Sequence, residues 1–444
     1  MLNKKEPLIS VGIMSGEKIT FLLDGLFNVE GFQQKFTGLF TAEIENEKIF
    51  CFGENEKIEN PNELIFRPCN PDASFILKEV TIGIQFHWER KEDEKFKGLL
   101  KLKIDNHNLI AINILPVEDY LVSVNSSEMS ARSSIELLKA HTIVTRSWLL
   151  AQMEKSGEDK NIYPRESSQN EIIKWYDKED HQYFDVCADD HCQRYQGITK
   201  ITTEAVRKAV NETFGIIIES NKRICDARFS KSCGGISESF ENVWEPVKHD
   251  YLTSIIDYSS KPDNFNLDFS VEDNSEKWIK SNPPAFCNSK DKKVLSQILL
   301  DYDQETTDFY RWKIIYSQNE ISALIKKKSG IDFGDILDIV PVERGDSARL
   351  IKLKIIGSKK TLIIGKELEI RRLLSESHLY SSAIIIEKQE IKDNIPQKFL
   401  IFGAGWGHGV GLCQIGAAVM AESGYKYEEI ILHYFKGTEL KKIY

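Results

Sequence analysis

The sequence predicts an α+β fold rich in strands, and three observations predict it. The first ~110 residues alternate apolar and polar positions with β-branched content. A 3.6-residue periodicity then appears abruptly beyond residue 133. From 294 to 395, short helical and strand patterns alternate. These shifts divide the chain into a β-rich region over 1–110, a core over 111–256, an inserted or subclass-specific α+β segment over 257–395, and a second part of the core over 396–444.

Taken in order, "LISVGIM", "KITFLLDG", "TAEIENEKIFCF", "SFILKEVTIGIQFHW" and "GLLKLKIDNHNLIAINIL" read as strands between charged or Gly/Asn turns. Ser133 and Glu136 have the spacing of a capping box. Leu137, Ala140, Val144, Trp148 and Ala151 then recur as one buried helical face. Residues 154–180 are polar and read as a surface excursion. The run from Thr202 to Gly235 reads as a helix, a Gly turn and two strands, and 257–292 as a linker or long loop. Further on, "SALIKKKSG" and "EIRRLLS" read as helices, and "RLIKLKIIG", "TLIIG" and "SAIIIEK" as strands. Two helical runs close the chain, from Cys413 to about Glu422 and near "YEEIILHYF".

At 444 residues, the chain has room for two or three domains with sizeable cores. Its 41% hydrophobic and 28% charged residues are those of an ordinary globular protein. A formal charge of -10 excludes a general nucleic-acid binder, which needs clustered Lys and Arg. No run approaches the ~18 apolar residues of a membrane span, and the first eighteen residues are too interrupted for a signal peptide. Eight cysteines in a chain of this length are too sparse for a disulfide framework.

Four stretches carry residues suited to chemistry. "GAGWGHGVGLCQIGAA", 403–418, sets His408 and Gln414 among glycines. It fits no register of the dinucleotide fingerprint and lacks the Lys-Ser/Thr of a P-loop. Glu128 follows a run without charge from Leu121 to Ser127, surroundings that suit a general acid, although a glutamate answering a helix dipole reads the same way. His181, Cys187, His191 and Cys192 supply two imidazoles and two thiolates within twelve residues. That set suits a closed, structural tetrahedral zinc site, and an ordinary polar loop is the other reading. In "ARFSKSCGGISESFENVW", 227–244, Cys233 with His408 would make a thiol hydrolase. Alternatively Ser232, Gly234 and Gly235 line a saccharide groove, with Trp244 as a stacking face. On helix spacing alone, His141 and Arg146 are structural.

Three of these segments together resemble one family. "VEDYLVSVNSSEM…IELLKAHTIVTRSWLL", "ARFSKSCGGISESFENVW" and the closing "GWGHGVGLCQIGAAVMAESGYKYEEIILHYFKGTEL" are similar to the stage II sporulation protein D family (SpoIID/LytB-type domain), which comprises peptidoglycan lytic transglycosylases and amidase enhancers. The resemblance implies a SpoIID-type catalytic domain with Glu128 as catalytic acid. It implies structural zinc on His181, Cys187, His191 and Cys192. Substrate would be bound by His408, Gln414, Ser232, Gly234, Gly235, Trp244, Arg146 and Trp406. The implied partners are glycan strands of peptidoglycan, denuded of stem peptides, and a cell-wall amidase; the implied location is the cell envelope. His141 stands where the family usually has glutamine or a similar polar residue, and Thr145 where alanine is common.

Overall fold

A computed structural model describes residues 5–84, 89–130, 133–155, 166–168, 170–175, 181–189, 191–199, 203–298 and 306–444. The polar excursion expected over 154–180 falls largely outside them. The fold is α+β and strand-rich.

The expected N-terminal strands join in an eleven-stranded, mainly antiparallel sheet. Leu8–Gly16 pairs antiparallel with Asn108–Pro116 and parallel with the short strand Val186–Cys187. Alternation drives this sheet: its inward positions are filled by Phe21, Phe27, Phe36, Phe40, Phe66, Phe75 and Phe96, all buried.

The sheet's last long strand runs straight into helix α1 (Val117–Glu128). Glu128 therefore ends a helix, and at a helix C-terminus it cannot be the glutamate answering a helix dipole. Because α1 has only apolar and small polar residues between its first turn and Glu128, it packs on all sides: Tyr120, Leu121, Val124 and Asn125 are buried.

Helix α2 (Ile135–Lys155) buries the expected face and more, being enclosed from Leu137 to Gln152 except for Lys139. The expected Ser133/Glu136 capping box does not form. Ser133 Oγ donates to the Ser130 and Gln297 carbonyls, Ser134 Oγ accepts from Leu137 N–H, and Glu136 instead receives Tyr427 N–H. Tertiary partners outbid the local cap.

Helix α3 (Glu204–Glu212) precedes a strand, Ile216–Ser220, which pairs with the chain's last strand, Glu439–Lys442.

The stretch 257–292 is packed structure rather than a linker. It contains α4 (Glu272–Lys280), whose Trp278 is 1% exposed, and runs on to α5 (Lys292–Leu295). Arg311 pins it by donating to the Ser281 and Trp278 carbonyls. A second core lies under α6 (Gln318–Ser329), α7 (Glu367–Leu373) and two sheets, one built on Arg311–Ser317, Ile384–Lys392 and Ile395–Ala404. The strand Ile395–Ala404 delivers the chain into the glycine-rich loop. Helices α8 (Gln414–Glu422) and α9 (Tyr427–Tyr434) follow and return the chain to the first core.

Candidate functional site

The end of α1, the loop 191–194, the segment 227–231 and the glycine-rich loop meet at a cleft of about 350 Å³. Glu128 and Gln414 line it, with an aromatic wall of Trp148, Trp244, Tyr380, Trp406 and His408. Trp406 and Tyr380 stack at 3.9 Å between centroids, and Trp244 meets His408 edge-on at 5.1 Å. Arg194, Arg228, Lys231 and Arg371 also line it, while Glu128 is the single carboxylate among its described lining residues. Of these cations, Arg228 pairs with buried Asp226 at 2.8 Å and Arg371 with Glu367 at 3.5 Å. Two polar groups there have no acceptor or donor among the described residues, the Trp244 indole N–H and the Ser230 hydroxyl.

Glu128 is half-buried and its Oε1 accepts the Arg194 backbone N–H at 3.1 Å. The loop that supplies this N–H is held from several directions. Ala188 N–H donates to Gly12 in the first strand, Gln193 joins the Tyr120 hydroxyl to the Thr145 carbonyl, and Gln196 N–H donates to Ser123 Oγ.

The four expected metal ligands converge within this same loop. The donor atoms of His181, Cys187, His191 and Cys192 all lie within 4.8 Å of one another. Cys192 Sγ is 3.4 Å from His181 Nε2 and 3.5 Å from His191 Nδ1, and Cys187 Sγ is 3.8 Å from His191 Nδ1. Sulfur and nitrogen ligands of a tetrahedral zinc are separated by about 3.5 Å, given the usual bond lengths. Close contact with Cys192 holds the Cys187 thiol far below its usual range, at about 2. The set can hold a tetrahedral metal ion.

Behind Gln414 runs a buried relay. Asn125 Nδ2 donates to the Leu121 carbonyl, so its Oδ1 faces His141 Nδ1 at 2.9 Å and receives that proton. His141 Nε2 is then free to accept from Gln414 Nε2 at 3.4 Å. Burial first, then Lys231, pulls His141 down to about 3. Burial and the nearby Arg228 bring His408 to about 3 as well. Val410 N–H donates to His408 Nδ1, leaving the proton on Nε2. Both histidines are neutral in the folded chain at physiological pH. Since their folded values lie below the ordinary 6.5, the unfolded chain takes up protons first, and stability present above pH 6.5 is lost as pH falls from there toward 3. His141→Gln should lower stability at pH 7 yet flatten its decline between pH 7 and 5, read by urea denaturation. An unchanged slope would remove His141 from that role.

The remaining candidates divide. His408, Gln414, Trp244 and Trp406 all line the cleft with Glu128. Ser232, Gly234 and Gly235 do not: Ser232 pairs its backbone with Trp406, and the two glycines pack on Gly405, Trp278 and Tyr310. Arg146 is buried against Glu118 and is not among the cleft's described lining residues. Cys233 is 2% exposed, faces Cys287 at 3.7 Å, and has its thiol pushed up by burial, so a Cys233/His408 nucleophile pair is excluded.

Sequence reasoning missed Arg349 and Glu238. Arg349 lies fully beneath the glycine loop, donating to the Gly407 and Cys233 carbonyls and to Ser347 Oγ. A Cβ on Gly409 would sit 2.4 Å from the guanidinium carbon, and Gly409 holds φ +80°. These glycines make room for an arginine and for the crossing chain rather than for a ligand. Buried Glu238 accepts from Ser347 and Asn242 and anchors the turn that presents Arg349. No motif marked either residue, because a lone Arg in "GDSARL" resembles any surface arginine.

Residues 105–219 match the family model "Stage II sporulation protein", and 238–411 match a domain of unknown function, DUF8618. The amidase enhancer of Bacillus subtilis (strain 168) is 25% identical over 331 residues, 72% of this chain but 40% of that protein, so the chain spans less than half of this relative. Stage II sporulation protein D of the same organism is 22% identical over 75% of this chain and 76% of its own length. An uncharacterized protein of Brachyspira hyodysenteriae is 24% identical over 78% and 72%, respectively. Through residues 105–219, which carry α1 with Glu128, α2 and the His/Cys cluster, the chain is similar to the stage II sporulation protein (SpoIID) family.

Proposed function

We propose that the chain is a peptidoglycan lytic transglycosylase, cutting the β-1,4 bond between N-acetylmuramic acid and N-acetylglucosamine. The observation that carries this reading is that Glu128 is the single carboxylate among the described residues lining an aromatic cleft. Hydrolases that use water need a second carboxylate about 5–9.5 Å away. A transglycosylase needs one. Glu128 gives its proton to the leaving glycosidic oxygen, then as carboxylate takes the proton from the muramoyl 6-hydroxyl as that oxygen bonds to the anomeric carbon. The product ends in a 1,6-anhydro ring, and intramolecular attack supplies the proximity. Sugar rings stack on Trp244, Trp406 and Tyr380, and the unpaired Trp244 N–H and Ser230 hydroxyl serve as glycan hydrogen-bonding groups. The muramoyl lactyl group, a free carboxylate once the stem peptide is gone, answers Arg194, Arg228, Lys231 and Arg371, so denuded strands are the preferred substrate. Peptidoglycan lies outside the cytoplasmic membrane, which places the chain in the cell envelope. Among the described residues, no helix is long and apolar enough to cross a membrane.

His181, Cys187, His191 and Cys192 would hold a structural zinc, whose part is to cross-link the loop that presents Arg194 N–H to Glu128. Chelation, or Cys192→Ser, should lower the melting temperature and cut turnover roughly 10-fold or more, since outer supports of a site commonly weigh that much. Metal-free protein with unchanged melting and turnover would refute the cross-link.

The name of the Bacillus subtilis relative favours a second reading, in which the chain binds peptidoglycan and stimulates an amidase partner without turnover of its own. Purified protein on isolated sacculi separates the two. The enzyme releases soluble anhydro-sugar products unaided, whereas the enhancer changes product release only when amidase is added.

A further inference from the structure

A second ligand cluster lies behind the cleft, apart from the His/Cys loop. Cys233, Asp257, Cys287 and Cys413 come from four separated parts of the chain, yet their donor atoms all lie within 4.8 Å of one another. Exposure is 2% for Cys233 and 0% for the other three. Cys233 and Cys287 sulfurs are 3.7 Å apart, and thiolates sharing a tetrahedral zinc stand about 3.8 Å apart. Two backbone amides already serve the set: Cys233 N–H points to Cys413 Sγ at 3.3 Å, and Cys287 N–H donates to Asp257 Oδ2 at 2.9 Å. Such contacts orient ligands in metal sites.

Asp257 makes the strongest case for a cation. A fully buried carboxylate is costly unless a positive charge faces it. Its hydrogen-bond donors are neutral, the Tyr434 hydroxyl at 2.6 Å and the Cys287 amide. Space for the carboxylate is built in: a Cβ on Gly416 would lie 2.4 Å from Asp257 Oδ1 and 2.2 Å from the Tyr434 oxygen. The Arg311 guanidinium sits nearby, over the Tyr310 ring, with its hydrogen bonds spent on carbonyls, among them Gly234 and Ser281. It is placed to offset the net negative charge that three thiolates and a carboxylate leave around a divalent ion.

We propose that Cys233, Cys413, Cys287 and Asp257 form a second, structural zinc site. Soft thiolates in a closed four-ligand set select zinc over calcium or magnesium. The site ties the 238–411 match to the segments that flank it on either side. Asp257 and Cys287 lie within the 238–411 match, while Cys413 immediately precedes Gln414 and caps α8, and Cys233 adjoins the Ser232–Trp406 bridge. Metal here holds Gln414 and Trp406 in place from behind the cleft.

The test is metal content of the purified full-length chain, which needs no substrate and stands whether or not the glycan reading does. Two zinc ions per chain are expected. Cys192→Ser and Cys287→Ser should each retain one, and the double variant none. One zinc in the parent chain, retained in Cys287→Ser and lost in Cys192→Ser, overturns the proposal. Should Cys287→Ser fail to fold, cobalt(II) is added to metal-free Cys192→Ser. A thiolate-to-cobalt charge-transfer band that titrates to one equivalent, and weakens in binding when Asp257→Asn is added, supports the site; no band refutes it. Thiol counting after unfolding in chelator gives the last check. Eight reactive thiols are expected, and a Cys233–Cys287 disulfide found by mass spectrometry overturns the site.

Discussion

Glu128→Gln is expected to abolish release of 1,6-anhydro products from sacculi, by at least about 10³-fold, while leaving the protein folded. The magnitude follows from the double duty proposed for one group. General acid–base assistance is worth about 10²–10⁴-fold, and here the same carboxyl both protonates the leaving oxygen and deprotonates the 6-hydroxyl. Glutamine preserves shape and can accept the Arg194 N–H through its amide oxygen, so the local fold keeps that restraint on this side chain. No second carboxylate lines the described cleft to take over. Binding to insoluble sacculi should persist, because the aromatic and cationic walls are untouched. Three measurements therefore go together: product mass spectrometry, sacculus pull-down and a melting curve. Wild-type product release by the variant would end the assignment of Glu128. Lost binding with lost melting would mean a structural role. An enhancer without turnover would show no anhydro products from either form, and the amidase stimulation would survive the substitution.

Much of this site was legible in the sequence because its parts are contiguous. Glu128, the four-ligand run from His181 to Cys192, and His408 with Gln414 each sit inside a short segment with its own character. The structure brings all of them to one cleft or to the loop that edges it. What could not be read depends on distant chain. The Ser133/Glu136 spacing is that of a cap, yet Gln297 and Tyr427 hold those groups instead. Glycines 405 and 409 look like a ligand cradle, yet the space they leave is filled by Arg349. Asp257 and Cys287 sit in a stretch whose Asp, Asn, Ser and Pro content reads as linker, and only three-dimensional packing joins them to Cys233 and Cys413. Periodicity reports which face of an element is buried. It does not report which remote group arrives there.

Arg146→Met is expected to destabilise the protein by about 3–5 kcal/mol, the cost of stranding a buried charge. Arg146 is 0% exposed and binds both oxygens of Glu118, at 2.9 and 2.5 Å, while its third nitrogen donates to the Ile216 carbonyl at 2.9 Å. Glu118 in turn accepts the Gly215 N–H and the Tyr444 hydroxyl. One ion pair thus joins α1, α2, the start of the Ile216–Ser220 strand and the C-terminal residue. Methionine fills the volume but leaves the Glu118 carboxylate facing only an amide and a phenol. The double variant Arg146→Met/Glu118→Leu removes both charges and should recover most of the loss, because an apolar pair of similar size commonly serves as well as a buried salt bridge. Urea denaturation of the two variants reads this directly. The same pair of proteins decides what the arginine is for. A substrate-binding arginine would weaken sacculus binding in both variants at native stability. A structural one weakens stability in the first, restores it in the second, and leaves binding by the folded fraction unchanged. The geometry requires the latter, since every hydrogen-bonding direction of this guanidinium that the structure describes ends on protein.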